Sequence, residues 1–392
     1  MRNYLDTIMS LCSLCGLLGA MLSLGCGIQG DAHLDLVGTQ QDDFVQSSGS
    51  KPERGFFAWR TQSDFPDGGG CEDMAPRSHN LVVKNNLLVA VDEACRLTLV
   101  DIREPNKPSF FSNATTDVSA LALSEDGRIA YVATQQNTLE LWSVANPQRS
   151  TQISALSFSH WGYRTKMVVL DGLLIGVMYG QLFLVDVSDP FMPEELATIN
   201  IGHAGPSDVA INNGYAYIPV HIDQGVPLQI VDIRDPANPF PLNGEWMLSL
   251  SMDGAIDIVD NKAFVVSQEL TGGAHWQHEQ VFKVYDLSEP EAPELMTRFS
   301  PKLNYGGKLD IAVDGAGDYA YVTSAGAHSS IANMPGFFIF DLRKRKPKLA
   351  YVDKATTRCF DVTMQKGTNL VAATCATQQD DSTRLFLGAM MP

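Results

Sequence analysis

The sequence predicts an all-β fold of seven four-stranded antiparallel units, on three observations. One apolar line that ends in Asp and is followed by Pro recurs along the chain at intervals of 42 to 55 residues. A hairpin-turn signal stands a short way before each copy. No stretch after residue 26 carries the apolar period of a long amphipathic helix.

The line is clearest at Leu97–Pro108, Leu182–Pro193, Leu228–Pro239 and Phe282–Pro293, the third copy reading LQIVDIRDPANP. Weaker copies are Leu139–Ser143 with Pro147, Phe337–Asp341 with Pro347, and Leu385–Leu387 near the end of the chain. The Asp column thus falls at positions 101, 143, 186, 232, 286, 341 and 389, which makes seven units.

Within a unit the first two strands flank a tight turn, as in Asp208–Ile211, Asn212-Asn213-Gly214, then Tyr215–Val220. Asn-Gly and Asp-Gly supply the positive φ that a two-residue hairpin needs. Matching turns are Lys84-Asn85-Asn86, Asp126-Gly127, Asp171-Gly172, Asp260-Asn261, Gly315-Ala316-Gly317 and Lys366-Gly367. The Asp line is the third strand, and a short run such as Glu195–Ile199 is the fourth. Asp and Pro at the exit of the third strand cap a turn and stop the pairing, so Asp101, Asp186, Asp232 and Asp286 read as structural. Units of this size cannot bury both faces alone. A ring in which each covers the next solves that, and the period is that of a seven-bladed β-propeller.

Unit seven stops after its third strand. Lys51–Arg60 (KPERGFFAWR) resembles the fourth-strand segments Pro293–Phe299 and Pro347–Tyr351. Phe56–Arg60 is therefore expected to be the outermost strand of the seventh blade, covering an edge that would otherwise invite pairing.

The Leu-Val-Asp-Ile/Val-x-Asp-Pro-x-x-Pro lines resemble LVIVD repeats, a bacterial β-propeller repeat, from Leu81 to Met391. The resemblance implies the fold and is silent on activity, because the repeat is defined by scaffold residues.

The N-terminus carries an address. Arg2 is followed by an apolar run from Ile8 to Leu24 and then Gly25-Cys26, the layout of a signal peptide. As a membrane span the run sits at the lower length limit, and no Lys/Arg cluster follows it to hold a topology. Ser23-Leu24-Gly25-Cys26 resembles the bacterial lipobox, which implies cleavage before Cys26 and attachment of lipid to its sulfur. Leu22 stands one place off the usual Leu, and a single Arg2 is offset by Asp6; cleavage nearby to give a secreted protein is the alternative. Gly27 in place of Asp implies outer-membrane delivery. The organisation expected is a signal peptide over 1–25, a polar Gln/Asp/Ser/Gly-rich tether over 26–50 and the ring over 51–392.

Cys12 and Cys15 leave with the signal, and Cys26 is assigned to lipid. Cys71, Cys95, Cys359 and Cys375 remain, and four thiols in an oxidising compartment suggest two disulfides. Hairpin geometry pairs Cys71 with Cys95 and Cys359 with Cys375; a crossed pairing between units one and seven is the alternative.

The chain has 45 acidic against 28 basic side chains, a net charge of −17. That surface does not attract phosphates globally, so no nucleic-acid partner is expected. There is no Gly-x-Ser-x-Gly elbow, no Gly-x4-Gly-Lys loop and no His-Glu-x-x-His helix. Asp208, Asp257, Asp310 and Asp361 occupy matching places on the first strands of units four to seven, which line the central channel. Four carboxylates can hold a divalent cation; the favoured reading is that each accepts hydrogen bonds from an adjoining loop, since the first three units offer no matching carboxylate.

Counting loops by side places seven of the eight histidines at one end of the ring. His160, Trp161 and His203 fall between units, and His221, Asp223, His275, Trp276, His278 and His328 follow second strands. His275-Trp276-Gln277-His278-Glu279 lies in a loop insertion that lengthens unit five, Gln268 to Gln280; Ala325 to Pro335 lengthens unit six. His and Trp beside a carboxylate suit a ligand or metal site. The expectation is a monomeric, lipid-anchored propeller that binds a protein or small molecule on this face, touches the membrane through its anchor only, and needs no cofactor. A metal-assisted hydrolase or lyase at the channel mouth is the competing class, and a purely structural envelope protein is a third.

Overall fold

The structure is a computed structural model that describes residues 57–64 and 81–390 apart from 93–94, 113–114, 116, 159–165, 179, 202–207, 220–227, 243–253, 272–276, 301–308, 326–335, 345, 354–355 and 378–382. The described residues form seven four-stranded antiparallel sheets, the blades, each in simple up-and-down order. Blades one to six run from Leu81 to Asp353, and blade seven is built from Thr356–Met364, Leu370–Thr377, Thr383–Met390 and, outermost, Phe57–Asp64. One 3₁₀ turn, Pro147–Arg149, is the only helical element among the described residues. Among them no helix is long and apolar enough to cross a membrane.

Burial explains the strand sequences. Second and third strands lie between two neighbouring blades and are apolar almost throughout, as Leu87–Val91 and Leu97–Val100 are. Fourth strands face water on the rim and are mostly polar, as Thr151–Ser157 shows. The cores are interfaces between blades. Val89, Leu97 and Leu99 of blade one meet Leu121 and Val132 of blade two, and the ring closes where Leu81, Val83 and Leu88 meet Ala372, Leu385 and Leu387 of blade seven.

Most blades share a turn chemistry at one end, called here the corner end, and five of the seven carry the corner aspartate. Asn213 and Gly214 take φ values of 51° and 79°, the pair of positive dihedrals a two-residue hairpin needs. A Cβ on Gly214 would stand 2.6 Å from Cγ of Arg234, so the corner packs directly on the turn. Asp101, Asp186, Asp232, Asp286 and Asp341 each accept the backbone N–H two residues on, at 2.8 to 3.1 Å. Arg103, Arg234 and Arg343 also return a guanidinium to that carboxylate. The side-chain donors, these three arginines on Asp101, Asp232 and Asp341 and the hydroxyls of Ser188 and Ser288 on Asp186 and Asp286, together with the N–H groups, hold the five carboxyls below the usual range.

Two sequence expectations need correction. The insertion of blade five is not a loop over Gln268–Gln280. Its second strand runs to Thr271 and its third begins at Gln277, with Gln268 opposite Gln280, Glu269 opposite Glu279 and Leu270 opposite His278. Backbone pairing carries on past the apolar core because the central hairpin is already in register. The channel aspartates also do not share one level. Asp310 and Asp361 stand opposite Thr323 and Thr374, the fifth residues of their second strands, whereas Asp257 stands opposite Phe264, two residues nearer the hairpin.

Phe57–Asp64 pairs antiparallel with Thr383–Met390, from Phe57 opposite Met390 to Asp64 opposite Arg384. Trp59 fastens this strand: its ring lies 4.7 Å from Phe337 and 5.3 Å from Phe386, and its Nε1–H donates to Asp353 Oδ2 at 2.8 Å. Trp59→Ala should cost about 3 kcal/mol, chiefly through lost packing and in part through one lost hydrogen bond to Asp353, which still accepts from Thr356 Oγ1. A lowered midpoint of urea unfolding checks this; an unchanged midpoint would show that the closing strand holds without its tryptophan.

Candidate functional site

The described part of the candidate site is the central channel, lined by the first strand of each blade. Asp208 lies just before the first strand of blade four, Ala210–Asn212. Its Oδ1 accepts the N–H of Val209 at 2.8 Å, and its Oδ2 accepts that of Ile256, in blade five, at 2.9 Å. Asp257 repeats this with Ile258 at 2.8 Å and Val313 of blade six at 2.7 Å. Asp310 does so with Ile311 and with Val362 of blade seven, both at 3.0 Å. Each carboxylate thus joins the inner strand of its own blade to that of the next. Asp257 acts one pleat nearer the hairpin than the other two, and its partner in the next blade moves by the same step.

The cation among these carboxylates belongs to the chain itself. Lys166, on the first strand of blade three (Lys166–Leu170), reaches Oδ1 of Asp310 at 3.5 Å, with side-chain exposures of 24% and 6%. Nearer the corner end, Lys366 in the hairpin of blade seven stands 3.7 Å from Asp257 Oδ1. Burial works against the Lys166 charge, but Asp310, Asp208 and Asp361 together raise its pKa above the ordinary lysine value. Burial pushes the Asp208 carboxyl up to about 6 against the pull of Lys166, and it also raises Asp257. The arrangement can exchange a proton near pH 6 and holds a fixed ammonium. Among the described residues no three metal-ligating side chains of His, Cys, Asp or Glu come together.

Lys166 escaped a reading that looked for carboxylates. It stands six residues before Gly172, as Asp208 stands six before Gly214. Alignment on the turn glycine, blind to charge, places it on the same level.

Cys359 and Cys375 face each other across the first hairpin of blade seven and are joined by a disulfide. Cys359 is therefore not available for the crossed pairing. Cys95 is disulfide-bonded as well; Cys71 lies outside the described residues, as does Cys26. His160, Trp161, His203, His221, Asp223, His275, Trp276 and His328 also lie outside them. His278 is placed on the extended third strand of blade five, opposite Leu270.

The LVIVD repeat family model matches residues 202–242, the segment centred on the second and third strands of blade four. The chain is a seven-bladed β-propeller bearing the LVIVD repeat. Among solved structures the propeller is similar to the β-propeller domain of Cps50 (Swd1) from Myceliophteria thermophila. The TM-score is 0.60 at 12% identity, over 85% of this chain and 99% of that one. It is also similar to Kuenenia stuttgartiensis hydrazine synthase, with a TM-score of 0.59 at 12% identity, over 81% of this chain and 98% of that one. At such identity the likeness is one of fold, and function has to be argued from the site. No curated protein matches the sequence of the chain.

Removing Lys166 takes away the ammonium that Asp310 pairs with and that acts on Asp208. Lys166→Met should cost about 3 kcal/mol at pH 7.5, since breaking a buried pair strands its partner. The folded variant then binds protons more tightly than the unfolded chain. Its deficit should shrink as pH falls through 6 towards 4, where the carboxyls fill. Urea midpoints for parent and variant at both pH values measure this, and a deficit that does not change with pH would assign the cost to packing.

Proposed function

We propose that this chain is an envelope-anchored β-propeller that binds a protein or small ligand on the end of the ring opposite the corners. The observation that carries the reading is the difference between the two ends. At the corner end the described turns are short and built on recurring Asp, Asn and Gly positions. At the other end the connections between second and third strands vary from two residues, 179–180, to twelve, 325–336. Loops of differing length on a rigid ring are where recognition can be built without disturbing the fold.

The histidines support that side. His160, His203, His221, His275 and His328 fall by sequence in those connections and in the passages between blades. The channel aspartates are occupied in joining blades, which moves the site outward to the loops. Attachment through Cys26 rests on the lipobox-like Ser23–Cys26. A disulfide in blade seven accords with an oxidising compartment.

The test is affinity capture from a soluble envelope extract by the full chain. A variant with His203, His221 and His275 changed to Ala should lose the partner while its thermal unfolding stays that of the parent. Phe191→Ser/Met192→Ser, at the opposite end, should retain it. Loss in the second variant and retention in the first would reverse the assignment of the face.

A further inference from the structure

The corner of blade six carries a charge that the fold does not require. Residues 343–348 read Arg-Lys-Arg-Lys-Pro-Lys, five basic residues in six, in a chain with a net charge of −17. The corner of blade five reads Ser288-Glu289-Pro290-Glu291-Ala292-Pro293 before Glu294; it is one residue longer, Asp286 pairing with Glu294 where Asp341 pairs with Lys348, and joins the same third and fourth strands with acidic residues. Turn chemistry therefore leaves the sign of these positions open. Arg343 is held by Asp341 at 2.8 Å and lies over the Tyr319 ring at 4.9 Å, so it belongs to the corner itself. Lys344, Lys346 and Lys348 are exposed, and none forms an ion pair with another described residue. The acids nearby are Asp318, in the adjoining hairpin, which acts on Arg343, and Asp341, on which Lys344 acts.

Two further observations lie at the same end of the ring. Phe57 stands opposite Met390, at the corner end of the third strand of blade seven. The chain therefore enters the ring at the corner end of the blade next to the basic corner. In addition, Phe191 and Met192 at the corner of blade three, and Phe240 at that of blade four, are exposed by 72%, 77% and 64%. Blade one has Asn106, Lys107 and Ser109 in the equivalent places, so bulky apolar groups are not needed there either.

We propose that the corner end of the ring docks on an anionic phospholipid surface, with Lys344, Lys346 and Lys348 meeting headgroup phosphates and Phe191, Met192 and Phe240 entering the interface. Blades three and four lie across the ring from blades six and seven, so a flat partner touches both sectors at once, whereas a linear polyanion needs only the basic one. Basic side chains beside a bilayer and apolar groups at headgroup depth are the two sources of reversible membrane binding. A chain that reaches the ring from this end turns the loop end away from the membrane, towards whatever it recognises. The inference rests on the charge and exposure of the corner end and holds whether or not Cys26 carries lipid.

The experiment is vesicle co-sedimentation of the full chain carrying Cys26→Ser, which removes any attached lipid. The vesicles are phosphatidylcholine with and without about one third phosphatidylglycerol. Binding should favour the anionic vesicles and fade as salt approaches about 0.5 M. Lys344→Glu/Lys346→Glu/Lys348→Glu should lower partitioning by about a hundredfold, and the three Lys→Gln changes by less. Phe191→Ser/Met192→Ser should weaken binding to both kinds of vesicle. The His203, His221 and His275 variant should bind vesicles like the parent, which separates this result from the test of the loop face. All positions changed at the corner end are exposed, and an unchanged thermal midpoint confirms folding. Equal partitioning of parent and Lys→Glu variant, or equal binding of the parent to both vesicles, overturns the proposal. So does inorganic polyphosphate that binds the parent with the same loss in the Lys→Glu variant while anionic vesicles do not, because it assigns the patch to a polyanion.

Discussion

A ring of blades has no free face to spare, so everything in this structure depends on how the two ends of the chain meet. Each sheet buries its two central strands between neighbours, and a blade with an unpaired edge would leave the interfaces on either side of it unsupported. Pairing of Phe57–Asp64 with Thr383–Met390 turns an open row of sheets into a closed one. The closing strand is fastened crosswise as well as edgewise. Trp59 reaches from the rim of blade seven to Phe337 and Asp353 of blade six, so loosening it disturbs two blades.

The channel performs the same task from inside. Inner strands of adjacent blades are too far apart to form a ladder, and the carboxylates of Asp208, Asp257 and Asp310 cross the gap to single backbone N–H groups of the next blade. The buried carboxylates of Asp208 and Asp310 and the half-buried one of Asp257 raise one another's cost, and Lys166 and Lys366 offset it. The Lys166 ammonium enters from blade three, the one blade of that stretch with a basic residue at this level, and meets Asp310 on blade six. The acidic column accepts backbone hydrogen bonds, as the favoured sequence reading had it, and adds an ion pair that the reading did not contain. The proton that Asp208 takes up near pH 6 follows from burial that the pair does not fully offset.

The fold was legible because its signals are local and repeated. Asn213-Gly214, the Asp232-to-Pro239 corner and the buried run of a third strand each depend on a few neighbouring residues, and seven copies average out the noise. Even the closing strand could be found, because Phe56–Arg60 copies the pattern of other fourth strands. What escaped the reading is tertiary. Asp257 lies two residues nearer its hairpin than Asp208 although both hairpins turn on two residues, and the pairing of Gln268 with Gln280 puts polar residues into a strand where composition suggests a loop. Lys166 has no local signature; only its height above the turn glycine marks it.

The two ends of the ring are legible to different degrees for the same reason. At the corner end most positions are spoken for: glycines take positive φ, aspartates accept backbone N–H groups, and prolines stop the strands. Any residue there that the turn does not require stands out, which is how five basic residues at 343–348 and the bare rings and thioether at 191, 192 and 240 acquire meaning. At the loop end almost nothing is required, so a histidine carries little information by itself, and eight of them scattered over a chain of this length can gather at one end simply because the other end excludes them. A face crowded with scaffold rules is the better place to notice an exception, while a face without rules is the better place to build recognition.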